Sequence, residues 1–501
     1  MWRFVAGNME HQKTLAVLSV SRRCLVSLVL LLVLHLGAGV LCAAQTSRMT
    51  LAECVRLAVR ENRTIKNAYL DRVVQRYSLR VAEDKFTPKL TLTPEITITG
   101  GSDKTVTGAI ARATTIASTA SGGVTEMLPT GATVNLTGNY GLTDPNNAGA
   151  ARAYGWNIDL TQPLLKGAGV DVAMASVRTA RLNEQGNILS LKSTLMDTVS
   201  SVATAYRAYV QAIKSLEITR QSLQRSRDLL ETNRELITAG RMAAIEIVQS
   251  EADVARQEFG LLSAENAVDA ARLALTKAID IDKNSQIEPV AETAIPPLPF
   301  SFAEARKLAF ANRSDYQTSL LNHEIAKINL ETAKNSVLWD LSLTGGYGET
   351  YNRDGNPANE ASSNDWRTGL KLSIPIGDLT IRQNLLSQEI GLKKMENDMA
   401  RQRENIEIEV RDALRTAEMN LRQIKLATQS RVLSEKKVEI ETEKLKAGRS
   451  TNFQLVSYQN DLKNAQDSEL AAIITYLNAL TSLEKTLGIT LDRWKIALVQ
   501  R

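Results

Sequence analysis

Side chains that could act as bases, nucleophiles or metal ligands are few in this chain. The histidines and cysteines are His11, His35, His323, Cys24, Cys42 and Cys54. Their spacing fits neither a zinc site nor a disulfide framework, and the sequence has no Gly-rich phosphate loop or nucleophile elbow. Imidazole-based catalysis would depend on His323, which we expect on a helix surface. We therefore predict no catalytic residue, no cofactor and no metal site, although a carboxylate dyad stays open.

Composition narrows the class of protein further. Hydrophobic residues make up 44% and charged residues 23% of the 501 positions, which is ordinary for a folded chain. The net charge is +5, but residues 1–44 hold four of the 60 basic residues and one of the 55 acidic residues. Without that segment the balance is 56 against 54, or +2, so composition gives no support for nucleic-acid binding.

The N-terminal segment has the parts of an export signal. A basic pair, Arg22 and Arg23, precedes an apolar run from Leu25 to Leu41, and small residues follow at Ala43 and Ala44. We predict a signal peptide over residues 1–44, with a single membrane anchor as the alternative. The later sequence contains no apolar run of the length of a membrane helix, so a second membrane segment would have to be a β-barrel.

Two parts of the chain repeat the same ordered series of motifs. Thr50–Glu53 has the pattern of a helix capping box, and Ser301–Glu304 repeats it 251 positions later. At the same offset, Leu90–Thr93 matches Leu341–Thr344. An ordered series of matches indicates a tandem duplication. We predict a first repeat over 45–286, a Pro-rich linker over 287–300, a second repeat over 301–491 and a C-terminal tail over 492–501.

Long stretches without proline predict helices. None of the 11 prolines lies in 164–288 or 376–501, and in both stretches apolar residues recur every seven positions, which is a coiled-coil pattern. A helix from about Val172 to Thr238 would be about 100 Å long. Gly240 and Gly448 then stop the helices inside tight turns at 239–241 and 447–449. Each repeat should therefore end in an antiparallel helical hairpin.

Other segments alternate apolar and polar side chains, which predicts strands. The alternation is clearest at Leu90, Leu92, Ile96, Ile98, Ile158, Leu160, Leu370 and Leu372. Tryptophan and tyrosine gather in the same segments, as in an interfacial girdle, so a wall between lipid and water is favoured over a soluble sheet. We predict two strands per repeat, four per chain, so that several chains must share a barrel. The first repeat has about 39 more residues, near 100–141, as an external loop or an added hairpin.

In these features the chain resembles the TolC-like outer-membrane efflux proteins. The resemblance covers Thr50 to about Leu491 and depends on the Thr161–Gly169 junction and on the two glycine tips. It implies a homotrimer with a twelve-stranded outer-membrane barrel in lipid and a helical tunnel in the periplasm. It also implies an exit duct for efflux or type I secretion, docked on a periplasmic adaptor protein and an inner-membrane pump of RND, ABC or MFS type.

The resemblance also places a candidate gate at the tips, where the tunnel of the family narrows. The residues concerned are Arg241, Glu246, Gln249, Arg449, Gln454 and Ser457. Gln454 and Ser457 match positions where members with a tight mouth carry aspartates, so strong cation selectivity is in doubt. Two interpretations stay open. Glu246 forms an ionic latch with Arg241 or Arg449, or all of these residues are solvated tip residues worth under about 1 kcal/mol per pair.

The predicted fold class is an α+β membrane protein with a shared transmembrane β-barrel, four strands per chain, continued by a long antiparallel coiled-coil α-helical barrel built from two tandem repeats. Pro163 and Pro375 should lie at the strand–helix junctions, since neither can donate to a continuing sheet. The expected location is the outer membrane, with the helices in the periplasm. The alternative is an exported coiled-coil spacer or adhesin-like periplasmic protein without a pore.

Overall fold

The computed structural model describes residues 47–104, 110–145, 150–290, 294–353 and 360–497. The predicted signal peptide lies outside these residues. The first repeat contains β1 Ser47–Met49, α1 Leu51–Glu61, α2 Arg63–Glu83, β2 Lys89–Lys104, β3 Ile110–Met127, β4 Thr133–Pro145, β5 Ala151–Pro163, α3 Val170–Ala173, α4 Ala175–Thr238 and α5 Glu246–Ile279. The linker contains β6 Ile287–Pro289. The second repeat contains α6 Phe302–Asn312, α7 Ser314–Ser336, β7 Asp340–Arg353, β8 Ala361–Ser373, α8 Leu379–Lys446 and α9 Asn452–Thr486, and α10 Thr490–Arg493 follows at its end.

Both repeats begin in the same way, with a capped short helix. The Thr50 hydroxyl accepts from the Glu53 backbone N–H, and the Glu53 carboxylate accepts from the Thr50 N–H. Ser301 and Glu304 make the same pair of bonds at the start of α6. The two predicted capping boxes are thus confirmed. Each box satisfies backbone donors that a helix start would otherwise leave open.

The helices form a layer four helices wide along its length. The helix α4, with 64 residues, and α8, with 68 residues, are about 96 and 102 Å long at 1.5 Å per residue. Near the tips the neighbours follow the order α5, α4, α9, α8, and near the sheet the order is α2, α4, α7, α8. The chain therefore has the same number of helices side by side at both levels.

The first residues of the linker between the repeats, 287–290, are hydrogen-bonded to the first repeat. Strand β6 pairs in parallel with β1. The Tyr206 hydroxyl lies within hydrogen-bond distance of the carbonyls of Met49 and Val290, at 2.9 and 2.7 Å, and the Tyr209 hydroxyl donates to the Ile287 carbonyl at 2.9 Å. Beside them Cys54 is fully buried, as a packing residue of α1 would be, and burial raises the pKa of its thiol to about 11. These contacts join the ends of the first repeat into one apolar core.

The sheet has more strands than the sequence predicted. Its order is β2-β3-β4-β5-β7-β8, six strands with antiparallel neighbours, so the prediction of four per chain is wrong. The extra residues near 100–141 form an added hairpin inside the sheet. Strand β3 is rich in Ala, Ser, Thr and Gly, whose similar polarity hides the alternation that marks a strand. Across the described parts of the chain, no helix has both the length and the apolar character that a membrane span requires.

Candidate functional site

The register of the sheet gives it one mostly apolar face, which also carries Glu126, Arg152 and Glu349, and one polar face. The apolar face carries Leu90, Leu92, Ile96, Ile98, Ile116, Val124, Leu136, Tyr140, Leu142, Tyr154, Trp156, Ile158, Leu160, Leu343, Tyr347, Tyr351, Trp366, Leu370 and Leu372. Leu92 is 71% and Trp366 77% exposed, so none of the helices that the structure describes covers this face. A sheet that shows apolar side chains on one side and polar ones on the other suits a boundary between lipid and water.

Aromatic side chains form a band across this apolar face. The rings of Tyr154 and Tyr351 stack with their centroids 5.1 Å apart, and those of Trp156 and Tyr347 lie 5.5 Å apart. Trp366 continues the second row, because it pairs with Tyr347 in the register. Rings with one apolar and one polar end favour the interface between lipid and water.

The polar face carries a connected group of side chains. The Thr137 hydroxyl donates to Asn157 at 2.5 Å, and the Asn157 amide donates to Asp159 at 2.6 Å. Arg367, on β8, reaches across β7 to form an ion pair with Asp159. Gly346 makes this possible, since a Cβ there would lie 2.5 Å from the Asp159 carboxylate oxygen. The sequence signal was the glycine itself, which often marks a close approach inside a strand.

Both edges of the sheet are open in one chain. Strand β2 is 16 residues long and β8 is 13, and in the described residues each pairs on one side alone. The helices on the same two sides expose apolar stripes. The stripes are Leu70, Val74, Tyr77 and Val81 on α2, Phe259 and Leu262 on α5, and Leu379, Leu386, Leu426, Leu433 and Ile440 on α8. Long open edges beside apolar helices call for a covering partner.

The strand–helix junctions contain the two predicted prolines. Pro163 is the last residue of β5, and Pro375 lies between β8 and α8. The chain after Pro163 turns under β7, where Leu164 N–H donates to Leu341 O at 2.7 Å and Lys166 N–H to Trp339 O at 3.2 Å. The turn between β3 and β4 joins this junction, because Gly169 N–H donates to Thr130 O at 3.2 Å.

The two hairpin tips have the same backbone geometry. Gly240 and Gly448 have φ of +66° and +69°, a left-handed conformation that favours glycine. Arg241 N–H donates to Leu236 O, and Arg449 N–H donates to Lys444 O, each at 2.8 Å. These bonds are those of a Schellman motif, which closes a helix C-terminus.

A buried polar cluster ties three helices together near the tips. The Asn233 amide, on α4, donates to Ser250 Oγ at 2.7 Å and to Asn452 Oδ1 at 2.9 Å. The Asn452 amide donates in turn to Ser250 Oγ at 2.9 Å. Both asparagines and the serine are buried. Sequence reasoning missed this cluster, because its members lie off the apolar heptad positions.

The candidate gate residues lie around the tips but are not joined within one chain. Glu246 is the first residue of α5, and Gln249 follows one turn later. Arg241 and Arg449 are exposed in the two turns, while Gln454 and Ser457 are partly buried in the first turns of α9. In the part of the chain that the structure describes, no hydrogen bond or ion pair links the Glu246 carboxylate to either arginine. The Glu246 carbonyl does accept from the Asn452 amide at 3.4 Å.

Three arginines of α4 form ion pairs with glutamates of α5, the other helix of the first hairpin. Arg220–Glu265, Arg227–Glu258 and Arg234–Glu251 join α4 to α5 at 3.5, 2.7 and 3.6 Å. Successive pairs are seven residues apart on both helices, and the side chains are about half exposed. We call these three pairs the ion-pair ladder.

His323 is more enclosed than expected. The sequence predicted a helix-surface residue, but its side chain is 17% exposed between α7 and α8, with Nε2 3.8 Å from Glu396 Oε1. Within the described residues no group of three or more His, Cys, Asp or Glu side chains is placed to hold a metal ion.

The model of the outer membrane efflux protein family matches residues 129–280 and 305–489. The solved outer-membrane channel OprN superposes with a TM-score of 0.67 at 14% identity over 87% of this chain and 89% of its own. The Campylobacter jejuni outer membrane channel CmeC superposes with a TM-score of 0.66 at 15% sequence identity, covering 88% of this chain and 86% of its own. The outer membrane protein VceC of Vibrio cholerae superposes with a TM-score of 0.66 at 15% sequence identity, covering 87% of this chain and 96% of its own. No curated protein sequence matched significantly.

Proposed function

The chain belongs to the outer membrane efflux protein family, and from that premise we propose that it is a passive exit duct for efflux or type I secretion. The observation that carries the proposal is the single sheet with an uncovered apolar face, a polar face and direct continuation into helices of about 100 Å. The sheet forms the wall in the outer membrane, and the helices form a conduit through the periplasm. No chemistry is required of the chain itself.

The working assembly is a homotrimer whose chains meet side by side. The two open sheet edges support this, because β2 runs away from the helices and β8 runs back toward them. A β2 edge set against the β8 edge of the next copy therefore continues the antiparallel order. The apolar stripes of α2 and α5 then face the stripe of α8 in the neighbouring copy. Closure removes every free edge, which an isolated chain cannot do.

The helical tips are the end that meets the partners. A passive duct has no energy source, so transport must be driven by an inner-membrane pump of the RND, ABC or MFS type, joined through a periplasmic adaptor protein. The tips lie about 100 Å from the sheet, far enough to reach across much of the periplasm. Exposed charged side chains around Gly240 and Gly448 give the adaptor a polar surface to bind.

An ionic latch at the tips would have to act between copies. Glu246 begins α5 at one side of the chain, and Arg449 follows α8 at the other side. In a ring of copies these two sides become neighbours. The arrangement supports a pair between Glu246 of one chain and Arg449 of the next, with solvated tip charges as the alternative.

The deciding experiment is reconstitution of the purified, processed protein in a planar lipid bilayer. We expect a detergent-requiring trimer that resists dissociation without heating and that conducts ions across the bilayer. A water-soluble elongated protein with no conductance would contradict the duct and favour the coiled-coil spacer. The same preparation, analysed by mass in detergent, gives the number of copies directly.

A further inference from the structure

We propose that the four strands of the first repeat all belong to the membrane wall, so that three chains close an eighteen-stranded barrel rather than a twelve-stranded one. The proposal rests on the proposed duct and trimer and adds the width of the pore. It differs from what the resemblance to TolC-like proteins implied, because each chain supplies six strands.

The hydrogen-bond ladder includes the added hairpin without interruption. Strand β3 pairs with β2 from Lys89–Thr125 to Lys104–Ile110, and with β4 from Met127–Thr133 to Thr115–Pro145. These pairs run the full height of the sheet. A hairpin folded into the lumen or outside the barrel would break one of the two ladders.

The faces also continue through the hairpin. In one row across the sheet Leu90 lies opposite Val124, which lies opposite Leu136, followed by Ile158 and Tyr347. On the other face Thr93 pairs with Ser121, which pairs with Asn139. The added strands therefore present apolar side chains to the same side as the remaining strands. In β4 this is the alternation of a lipid-facing wall, and in β3 Ile116, Ala120 and Val124 lie on the same side as the apolar residues of its neighbours.

The lower turn of the hairpin is fixed to the strand–helix junction. Leu128 N–H donates to Ala132 O at 2.7 Å, and Ala132 is buried. Gly131 has φ of +92° and lies so close to Gly167 that a Cβ would overlap the Gly167 carbonyl oxygen. The Thr130 hydroxyl and Gln162 are within hydrogen-bond distance at 3.2 Å. The turn thus lies at the level where the wall meets the helices.

Six strands also match the width of the helical layer. Strands about 4.8 Å apart and tilted by about 40° each take about 6.3 Å of circumference, so six strands span about 38 Å and four strands about 25 Å. Four helices packed 8–10 Å apart span about 32–40 Å. With six strands the wall is therefore as wide as the four-helix layer beneath it. With four strands the tube would narrow by about a third at the membrane.

The consequence concerns the solutes that pass. Eighteen strands give a backbone diameter of about 36 Å, and twelve strands give about 24 Å. Barrels of 16–18 strands leave an aqueous channel, as in porins. The membrane section then sets no tighter limit on solute width than the helical tunnel does, which suits bulky solutes.

Electron cryo-microscopy of the detergent-purified wild-type protein tests the proposal. We expect a ring of eighteen strands about 36 Å across, with three chains contributing equally. A twelve-stranded ring, with two strands of each chain outside it or with two chains in it, would overturn the proposal and leave a duct in place. Monomers in aqueous buffer with no ring would overturn the duct itself.

Cysteine pairs give a second test that needs no image. A polar-face cysteine on β2, in Thr93→Cys, combined with Lys371→Cys on β8 should form disulfides between chains under oxidation, giving trimers on denaturing gels. The control combines Thr137→Cys, on β4, with Lys371→Cys, and should not cross-link, because β4 is inside the sheet. Cross-linking of the control pair instead would mean that β4 is the edge strand and that β2 and β3 lie outside the wall.

Discussion

The two repeats differ in their sheets far more than in their helices. Both have a capping box, a helical hairpin and a glycine tip, and their longest helices have 64 and 68 residues. Yet the first repeat supplies four strands to the sheet and the second supplies two. Helices that share one layer must keep their length and turn position. An antiparallel sheet can take up two further strands together, because a hairpin returns the chain to the end of the sheet from which it started.

The two hairpin tips also share their backbone structure and differ in their side chains. Their backbone bonds coincide, but Glu246 and Gln249 in the first repeat correspond to Gln454 and Ser457 in the second, 208 positions later. The ion-pair ladder belongs to the first hairpin, since Thr428, Glu435 and Thr442 replace its three arginines in the second. The duplication kept the backbone frame, while the charged side chains diverged.

The largest effect should come from making the two repeats equal in strand number. Replacing residues 105–150 with an Asn-Gly turn removes β3 and β4 and joins the upper ends of β2 and β5. We expect a barrel of twelve strands, about a third narrower in images of the purified protein. Replacing residues 105–109 alone with the same turn is the matched control and should keep the wild-type diameter. A wild-type diameter in the long deletion would mean that the hairpin does not widen the wall.

Much of this comparison could be predicted from the sequence, because helices leave strong signals. The capping boxes at Thr50 and Ser301 combine specific residue types at fixed spacing, and the absence of proline over long stretches excludes most alternatives. Strand β3 left no such signal, because its Ala, Ser, Thr and Gly side chains differ little in polarity. Strand β4 does alternate, with Val134, Leu136, Tyr140 and Leu142 separated by polar residues and glycine, and the prediction missed it. The place of both strands depends on ladder bonds to their neighbours. Among the site residues, Asn233 was missed because its burial depends on three helices meeting.

The turn between β3 and β4 requires glycine at position 131 for two separate reasons. Gly131 has both a left-handed φ and no room for a Cβ, whereas Gly169 has φ of +95° and open space around it. We expect Gly131→Ala to destabilise the proposed trimer by about 3 kcal/mol or more and Gly169→Ala by about 1–3 kcal/mol, the cost of the positive-φ backbone conformation alone. Temperature of trimer dissociation on gels measures both. Equal shifts would show that the contact with Gly167 is unimportant.

Removing the buried Asn233 amide near the tips should destabilise the protein less than Gly131→Ala does. Asn233→Ala leaves Ser250 and Asn452 with fewer partners, and an unsatisfied buried polar group costs about 1–3 kcal/mol. The partly buried neighbour Thr232, whose hydroxyl bonds to a carbonyl of its own helix, provides the control Thr232→Ala. Hydrogen exchange at the start of α9 should increase in Asn233→Ala and stay unchanged in the control. Faster exchange in both variants would point to general loosening of α4 instead.

The ion-pair ladder of the first hairpin should contribute little to stability. Its side chains are about half exposed, and exposed pairs are worth about 0.2–1 kcal/mol with strong screening by salt. We expect Arg227→Ala to lower the thermal stability slightly in low salt and by less in 1 M salt. Lys437→Ala, which removes an exposed pair with Asp461 in the second hairpin together with a cation–π contact to Tyr458, is the comparison. A loss that is independent of salt would indicate that packing of the arginine stem, rather than charge, is what matters.

The smallest structural change concerns the tips, where Glu246→Gln gives the first repeat the residue that the second has at position 454. If Glu246 binds Arg449 of the next copy, both Glu246→Gln and Arg449→Ala raise the resting conductance in planar bilayers. The double variant then adds little to either single one, since both remove the same pair. Arg241→Ala serves as a comparison, because Arg241 lies in the other turn. An unchanged conductance in both single variants would leave the tip charges as solvated residues, and the difference between the repeats at this position would then carry no gating function.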